Sequence, residues 1–124
     1  MSYVMVFLGA GIGGALRHGV NSAALRLGLT GFPFHTLFIN AAGSLAMGVI
    51  AGWFALRGQA PQLWRLFLTT GVLGGFTTFS AFSLETVLLW ERGEAGAALA
   101  YVAASVVAAI AGLVAGLWII RAMA

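Results

Sequence analysis

Hydroxyl and glycine residues in the third apolar stretch carry the most distinctive chemistry of the chain. The segment reads Gly71-Val-Leu-Gly-Gly-Phe-Thr-Thr-Phe-Ser-Ala-Phe82. Glycine is a poor helix residue and the paired threonines are β-branched, so the composition predicts a helix interrupted within residues 74–80. Backbone groups freed inside a membrane must be buried in protein or line a watery or ion-filled site. The stretch is therefore a candidate ion site, and a kink that serves only packing is the alternative.

The two halves of such an interrupted helix offer opposite partial charges. The first half ends on carbonyl groups that suit a cation, and the second begins with free N–H groups that suit an anion. The hydroxyls of Thr77, Thr78 and Ser80 add hydrogen-bond donors. Phe79 and Phe82 are three residues apart and share a helix face, where positively charged ring edges can meet a small anion. Ordinary lipid or core contacts are the alternative for these two rings.

Other donors recur at helical spacing in the neighbouring spans. Thr36 and Asn40 are four residues apart, and so are Tyr101 and Ser105. The Asn40 amide can donate to an anion, although an interhelical hydrogen bond is the commoner role of a membrane asparagine. A track of donors without embedded acids favours an anion over a cation or a proton.

Charged and imidazole side chains are few. Arg17 is costly in lipid, so we expect it to reach the headgroups or to attract anions into a vestibule. Glu85 follows Phe82 by three residues, and the sequence leaves open whether it lies near that vestibule or pairs with an arginine. His18 and His35 are far apart and lack metal-ligand spacing, so both are interpreted as interfacial.

Composition places these residues in a membrane. The chain has 124 residues, of which 61% are hydrophobic and only 7% are charged. A soluble domain carries about 25% charged residues, so lipid is the natural solvent. The sequence predicts one all-α transmembrane domain over residues 1–124. Its four spans are expected at about 3–27, 35–56, 62–90 with the interruption at 74–80, and 97–120.

The same composition excludes several functional classes. The six cations are all arginines spread along the chain, so no basic patch for nucleic acid is present. Without cysteine there is no disulfide or thiolate metal site, and no catalytic constellation indicates an enzyme. The arginine count is nearly equal on the two sides of the membrane. Either the short loops make this count noisy, or the chain inserts both ways and forms an antiparallel dimer.

Three stretches resemble a known family. They are Gly13-Gly-Ala-Leu-Arg17, Phe38-Ile-Asn-Ala-Ala-Gly43 and the third-span segment at residues 71–82. Over essentially its full length the chain resembles the Fluc/CrcB family of small fluoride channels. The resemblance implies passive export of F⁻ through a multi-pass protein of the cell inner membrane, built as a dual-topology antiparallel homodimer with two pores.

The resemblance also implies residue roles. A central structural Na⁺ would be held by backbone carbonyls of Gly74 and Thr77 from both subunits. Ala109 stands where the family often has a further hydroxyl, so it is left out of the track. The fluoride path would include the side chains of Asn40, Thr78, Phe79, Ser80, Phe82, Tyr101 and Ser105.

A small multidrug antiporter is the alternative function, since that class also has four helices and dual topology. Its proton and cation exchange normally needs an acid in the first span, and here no acid precedes Glu85. A non-transporting assembly subunit, and a heterodimer with a sibling chain, also stay open at this point.

Overall fold

The computed structural model describes residues 1–58 and 60–124, and every regular element among them is a helix. The third apolar stretch is divided into several short elements, whereas each of the other three stretches forms one continuous helix. In chain order the elements are α1 (Ser2–Arg26), α2 (Phe34–Arg57), α3 (Gln62–Leu66), a π-helical segment (Phe67–Leu73), α4 (Gly74–Phe76), α5 (Phe79–Glu91) and α6 (Ala95–Met123).

The four predicted spans are confirmed as helical segments long and apolar enough to cross a membrane. They are Ser2–Arg26, Phe34–Arg57, Gln62–Glu91 and Ala95–Met123. Each exceeds the length of about 20 residues that spans the hydrocarbon. Large apolar side chains point away from the protein on these helices, such as Phe7 at 77% exposed and Trp118 at 69% exposed. Such an outer surface suits contact with lipid chains rather than with water.

A glycine stands just after the helix at the start of each connection between spans. Gly28, Gly58 and Gly93 follow α1, α2 and α5, and each has a positive φ, of 77°, 67° and 81° respectively. A side chain at such a backbone angle is strained, so glycine is the residue that lets the chain leave the helix sharply. Connections this short reverse the direction of the chain between consecutive spans. The closest packing joins α1 to the third span and α2 to α6.

Close backbone approach holds α1 against the third span. A Cβ added at Gly13 would collide with the carbonyl oxygen of Val72, whereas one added at Gly14 meets nothing within 4 Å. Likewise, a Cβ on Gly9 would lie 2.5 Å from the carbonyl oxygen of Phe67. The Gly9 and Gly13 face of α1 is therefore the packing face, as small residues allow in lipid. It lies against the π-helical segment, a rare form that is frequent at functional sites.

The third span changes conformation at two threonines. Thr77 has φ −77° and ψ 159°, and Thr78 has φ −152° and ψ 124°, so both are extended between α4 and α5. The Thr77 N–H and hydroxyl both donate to the carbonyl of Leu73, at 3.0 and 2.9 Å. The Thr78 hydroxyl accepts from the N–H of Ala81 at 3.2 Å and so caps the start of α5. Threonine hydroxyls thus take over part of the hydrogen bonding that the helix loses.

Candidate functional site

Asn40 of α2 pairs with the extended backbone of Thr78. Its Nδ2 donates to the Thr78 carbonyl at 2.9 Å, and its Oδ1 accepts from the Thr78 N–H at 2.8 Å. The Asn40 side chain therefore replaces both backbone partners that Thr78 lacks outside a helix. An amide nitrogen has two N–H groups, so one donor of Asn40 is left for another acceptor.

Carbonyl groups at the end of α4 are left without backbone donors. In a continuous helix the Thr78 N–H would donate to the Gly74 carbonyl, but here it donates to Asn40. Among residues 1–58 and 60–124, no backbone amide donates to the Thr77 carbonyl. Oxygens with unused lone pairs at a helix C-terminus attract a cation.

A cavity of about 350 Å³ lies beside the extended threonines, and we call it the phenylalanine cavity. Phe79 and Phe82 are stacked at a tilt along it, with ring centroids 5.5 Å apart and planes at 47°. Phe79 is 78% exposed although it is large and apolar. The other lining residues are Asn40, Gly43, Ser44, Met47, Leu73, Gly74, Thr77, Thr78, Ser105, Val106, Ala109 and Leu113.

Two buried hydroxyls of α6 lie at and behind this cavity. Tyr101 is fully buried between Phe82, at 5.2 Å between ring centroids, and Phe32, at 5.4 Å. The Tyr101 hydroxyl and the Ser105 hydroxyl are inaccessible to solvent and have no hydrogen-bond partner within the described residues. Buried polar atoms normally have partners, so these two hydroxyls indicate a place for a ligand or water that accepts hydrogen bonds.

A second cavity, of about 380 Å³, also has Thr78 in its lining, and we call it the arginine cavity. Arg17 of α1 and Arg92 of the α5–α6 turn both line it. Arg92 donates to the Gly31 carbonyl at 3.0 Å and pairs with Glu94 at 2.8 Å. The further lining residues are Asn21, Thr30, Gly31, Pro33, His35, Thr36, Thr78, Ala81, Leu84, Glu85, Leu88 and Leu89.

Glu85 lines the arginine cavity and is held by the first turn of α2. The Thr36 hydroxyl lies 2.7 and 2.9 Å from its two carboxylate oxygens, and His35 Nε2 lies 3.2 Å from Oε2. The carboxylate of Glu85 thus lies against a threonine and a histidine. Within the part of the chain that the structure describes, no arginine pairs with it. The sequence did not indicate this contact for His35, because the two residues lie 50 positions apart.

The structure brings most of the predicted site residues together. Asn40, Gly74, Thr77, Thr78, Phe79, Phe82 and Ser105 all line the phenylalanine cavity. Ser80 is exposed and lies 3.4 Å from the Thr78 hydroxyl, but it is not in the lining. Sequence reasoning missed Ser44 as a lining residue, although its spacing of four from Asn40 places it on the same face.

Metal-binding side chains are not clustered in the described part of the chain. No group of three or more His, Asp or Glu residues there is arranged to hold a metal ion. Any cation at this site would therefore depend on backbone carbonyls and hydroxyls, which are the ligands that hard cations prefer.

Comparison with known proteins identifies relatives along nearly the whole chain. The profile of the family described as "CrcB-like protein, Camphor Resistance (CrcB)" matches residues 4–117. A protein of Methylobacterium nodulans is 64% identical over 121 residues, covering 98% of this chain and 97% of its own length. Proteins of Granulibacter bethesdensis and Rhodopseudomonas palustris are each 58% identical over 123 residues, covering 99% of this chain and 97% and 99% of their own lengths. All three relatives are named fluoride-specific ion channel FluC.

Proposed function

We propose that this chain, which belongs to the CrcB family, is a fluoride-selective channel that lets F⁻ leave the cytoplasm down its electrochemical gradient. The observation that carries the proposal is a set of donor hydrogens without protein acceptors beside two phenylalanine rings. Tyr101 and Ser105 supply hydroxyls, and Asn40 supplies an unused N–H. The chain is a multi-pass membrane protein, and its named relatives are channels rather than enzymes.

Fluoride selectivity follows from the cost of dehydration. F⁻ is small and strongly hydrated, so a path that strips its water must replace it with donors. Asn40, Thr78 and Ser105 line one cavity and supply such donors. The edges of Phe79 and Phe82 carry partial positive charge and contribute attraction without admitting water. A larger anion would be attracted less strongly by the same donors and ring edges, because its charge lies farther from them.

Arg17 and Arg92 make the arginine cavity an anion vestibule in this proposal. Both arginines line it, and Thr78 lines both this cavity and the phenylalanine cavity. A cleft lined by positive charge concentrates anions at its mouth. In this proposal fluoride first binds beside Arg17 and then moves past Thr78 to the donors that line the phenylalanine cavity.

A structural Na⁺ at the α4 terminus is a second part of the proposal. The chemistry of the residues fits such an ion, because the carbonyls of Gly74 and Thr77 are freed from helical hydrogen bonding. The ion would neutralise converging carbonyl dipoles and hold the interrupted span in place. It would be a bound ion and not a transported one.

A second copy of the chain completes the site in this proposal. The phenylalanine cavity is open at Phe79, whose ring is 78% exposed. An antiparallel homodimer in the inner membrane would cover this ring and bring the two α4 termini together at one axis. The carbonyls of Gly74 and Thr77 from both subunits would then face the same ion. The nearly equal arginine count on the two sides of the membrane supports insertion in both directions.

Passive export of F⁻ is sufficient to relieve fluoride toxicity. HF is a weak acid that enters cells as a neutral molecule in acidic surroundings and dissociates inside. A passive leak for F⁻ alone then lowers the cytoplasmic concentration without an energy source. Cytoplasmic enzymes that fluoride inhibits are thereby protected.

Growth of a fluoride-sensitive bacterial strain tests the proposal in cells. Expression of this chain alone should restore growth in fluoride medium, and failure of a well-inserted chain to do so would favour a non-transporting subunit or a heterodimer. The relatives give no support to the multidrug antiporter alternative, since all three are named fluoride channels. Proton-coupled uptake of a cationic dye by the reconstituted chain would revive it.

A further inference from the structure

An open groove lies where α2 ends and α3 begins, and we call it the tryptophan groove. Its volume is about 610 Å³, and two exposed tryptophans line it, Trp53 of α2 and Trp64 of α3. Arg57, the last residue of α2, lines the same groove. The remaining lining residues are Phe54, Ala60, Pro61 and Leu68. The groove thus combines a cation with an aromatic and aliphatic surface, and it shares no residue with the phenylalanine and arginine cavities.

Arg57 is held by a cation–π contact with Trp53. Its Cζ lies over the indole ring, 4.4 Å from the ring centroid. A guanidinium within about 6 Å of such a centroid is attracted by the negative face of the ring. The group is planar and its N–H donors point outward in that plane, so stacking on the ring does not use them. In the described part of the chain the ion pairs are formed by Glu85 and Glu94, and neither includes Arg57.

The end of the helix bundle that carries this groove is rich in arginine and has no nearby acid. Because consecutive spans reverse direction, the end of α2, the start of α3 and the end of α6 lie on one side of the membrane. The arginines at this end are Arg57, Arg65 and Arg121. The acids of the chain begin only at Glu85 and lie in α5 and the turn that follows it, toward the other side. A positive surface at the level of the lipid headgroups attracts anionic lipids.

Apolar side chains continue the groove toward the membrane interior. Leu68 follows Trp64 by one helical turn, about 5 Å deeper in the third span, and also lines the groove. Trp64 is packed edge-on against Phe67, with ring centroids 5.7 Å apart and planes at 90°. Tryptophan near a span end favours the headgroup level of a bilayer. A cation above and apolar side chains below match a phospholipid better than a free phosphate ion.

We propose that the tryptophan groove binds an anionic phospholipid, with the lipid phosphate on Arg57 beside Trp53 and Trp64 and an acyl chain along Leu68. Arginine donates paired hydrogen bonds to phosphate oxygens, and its stacked position on Trp53 leaves that edge available. A zwitterionic lipid carries its own cation next to the phosphate, and the arginines repel that cation. Phosphatidylglycerol brings no such cation. The groove therefore selects lipids by charge, independently of the ion that the protein conducts.

Native mass spectrometry of the purified full-length chain, titrated with phosphatidylglycerol in detergent, tests the inference. Arg57→Gln should bind this lipid about fivefold more weakly than the unmodified chain does, because one arginine near a lipid surface contributes about that factor. Arg26→Gln is the matched control. Arg26 is also the exposed last residue of a long helix, but it lies at the opposite end of the bundle, so this variant should keep the unmodified affinity.

A second pair of variants tests the support of the arginine without changing any charge. Trp53→Leu removes the ring beneath Arg57 and should weaken phosphatidylglycerol binding by about twofold to fivefold. Trp118→Leu is its control, because Trp118 on α6 is 69% exposed and lies outside the groove. This pair also decides the inference if Arg57→Gln does not purify as folded protein, since equal affinities of the two tryptophan variants would contradict it.

Two further probes separate the lipid from other ligands. Phosphatidylethanolamine, which is zwitterionic, should bind the unmodified chain more weakly than phosphatidylglycerol, and Arg57→Gln should reduce that difference. Inorganic phosphate in large excess should not displace phosphatidylglycerol, because it has no acyl chain to contact Leu68. Displacement by inorganic phosphate, equal affinity for the two lipids, or equal weakening by Arg57→Gln and Arg26→Gln would each overturn the inference. None of these results bears on fluoride conduction.

Discussion

Asn40 and Thr78 form a closed pair in which one side-chain amide satisfies both the N–H and the carbonyl of an extended residue. The two bonds measure 2.9 and 2.8 Å. Because Thr78 cannot obtain these bonds from a helix, Asn40 is what allows the third span to leave helical geometry inside a membrane. The side chain thus has a structural role, and its remaining N–H is the donor that we assign to fluoride.

Replacing Asn40 with alanine should reduce both conduction and stability. Two buried backbone groups of Thr78 lose their partners, so we expect a loss of about 1–3 kcal/mol in unfolding free energy for each group left unpaired. Fluoride efflux from liposomes should fall at least about tenfold, because the donor is also lost. Ser44→Ala is the matched control, since Ser44 lines the same cavity one turn away. Normal efflux from correctly folded Asn40→Ala would remove Asn40 from the fluoride path.

Phe79→Ile tests whether an aromatic ring edge is needed. Isoleucine keeps an apolar side chain but lacks the positive ring edge. It also loses the aromatic pair with Phe82, and such pairs contribute up to about 1.5 kcal/mol, so fluoride efflux should fall by up to about tenfold. Phe7→Ile is a matched control, because Phe7 on α1 is 77% exposed and Phe79 is 78% exposed. Equal efflux from the two variants would show that Phe79 is an ordinary apolar contact.

Gly13 and Gly14 are adjacent, but they differ in what a methyl group would meet. Gly13→Ala places Cβ against the Val72 carbonyl, so overpacking should cost about 1–3 kcal/mol. Gly14→Ala meets nothing within 4 Å and should leave stability nearly unchanged. Thermal unfolding in detergent, followed by size-exclusion chromatography, compares the two variants. If both unfold at the same temperature, the close approach of α1 to the third span is not a determinant of stability.

Removal of Na⁺ tests the proposed cation at Gly74 and Thr77. A ligand present at about one hundred times its dissociation constant stabilises the folded state by about 2.7 kcal/mol. Exchange of Na⁺ for N-methylglucamine should therefore lower the unfolding temperature and the fluoride efflux. Exchange of chloride for gluconate, with Na⁺ kept, controls for the change of salt. Unaltered stability after exhaustive exchange would exclude a structural sodium.

Much of the architecture could be predicted from the sequence, because hydropathy alone separates the four spans and glycine marks the turns. The glycine-rich segment predicts an interruption within residues 74–80, and in the structure Thr77 and Thr78 have extended backbone angles. Spacing placed Phe79 beside Phe82, and Tyr101 one turn before Ser105. Local patterns of this kind suffice for contacts within one helix.

Contacts between helices could not be obtained in the same way. Nothing in the spacing of His35 and Glu85 indicates that they meet, since their distance depends on how α2 and α5 pack. The pairing of Asn40 with Thr78 is similar, because the sequence left open whether its amide bonds across helices or serves an anion. The π-helical segment at Phe67–Leu73 was also not predicted, since no residue pattern distinguishes it from an α-helix.

Fluoride efflux from liposomes that contain only this purified chain tests the central claim most directly. A fluoride-selective electrode and a chloride electrode follow release after the membrane potential is clamped with a potassium ionophore. We predict rapid release of fluoride, far above protein-free liposomes, with chloride retained in a parallel sample. Retention of fluoride by liposomes with correctly folded protein, or equal release of chloride, would contradict a fluoride-selective channel.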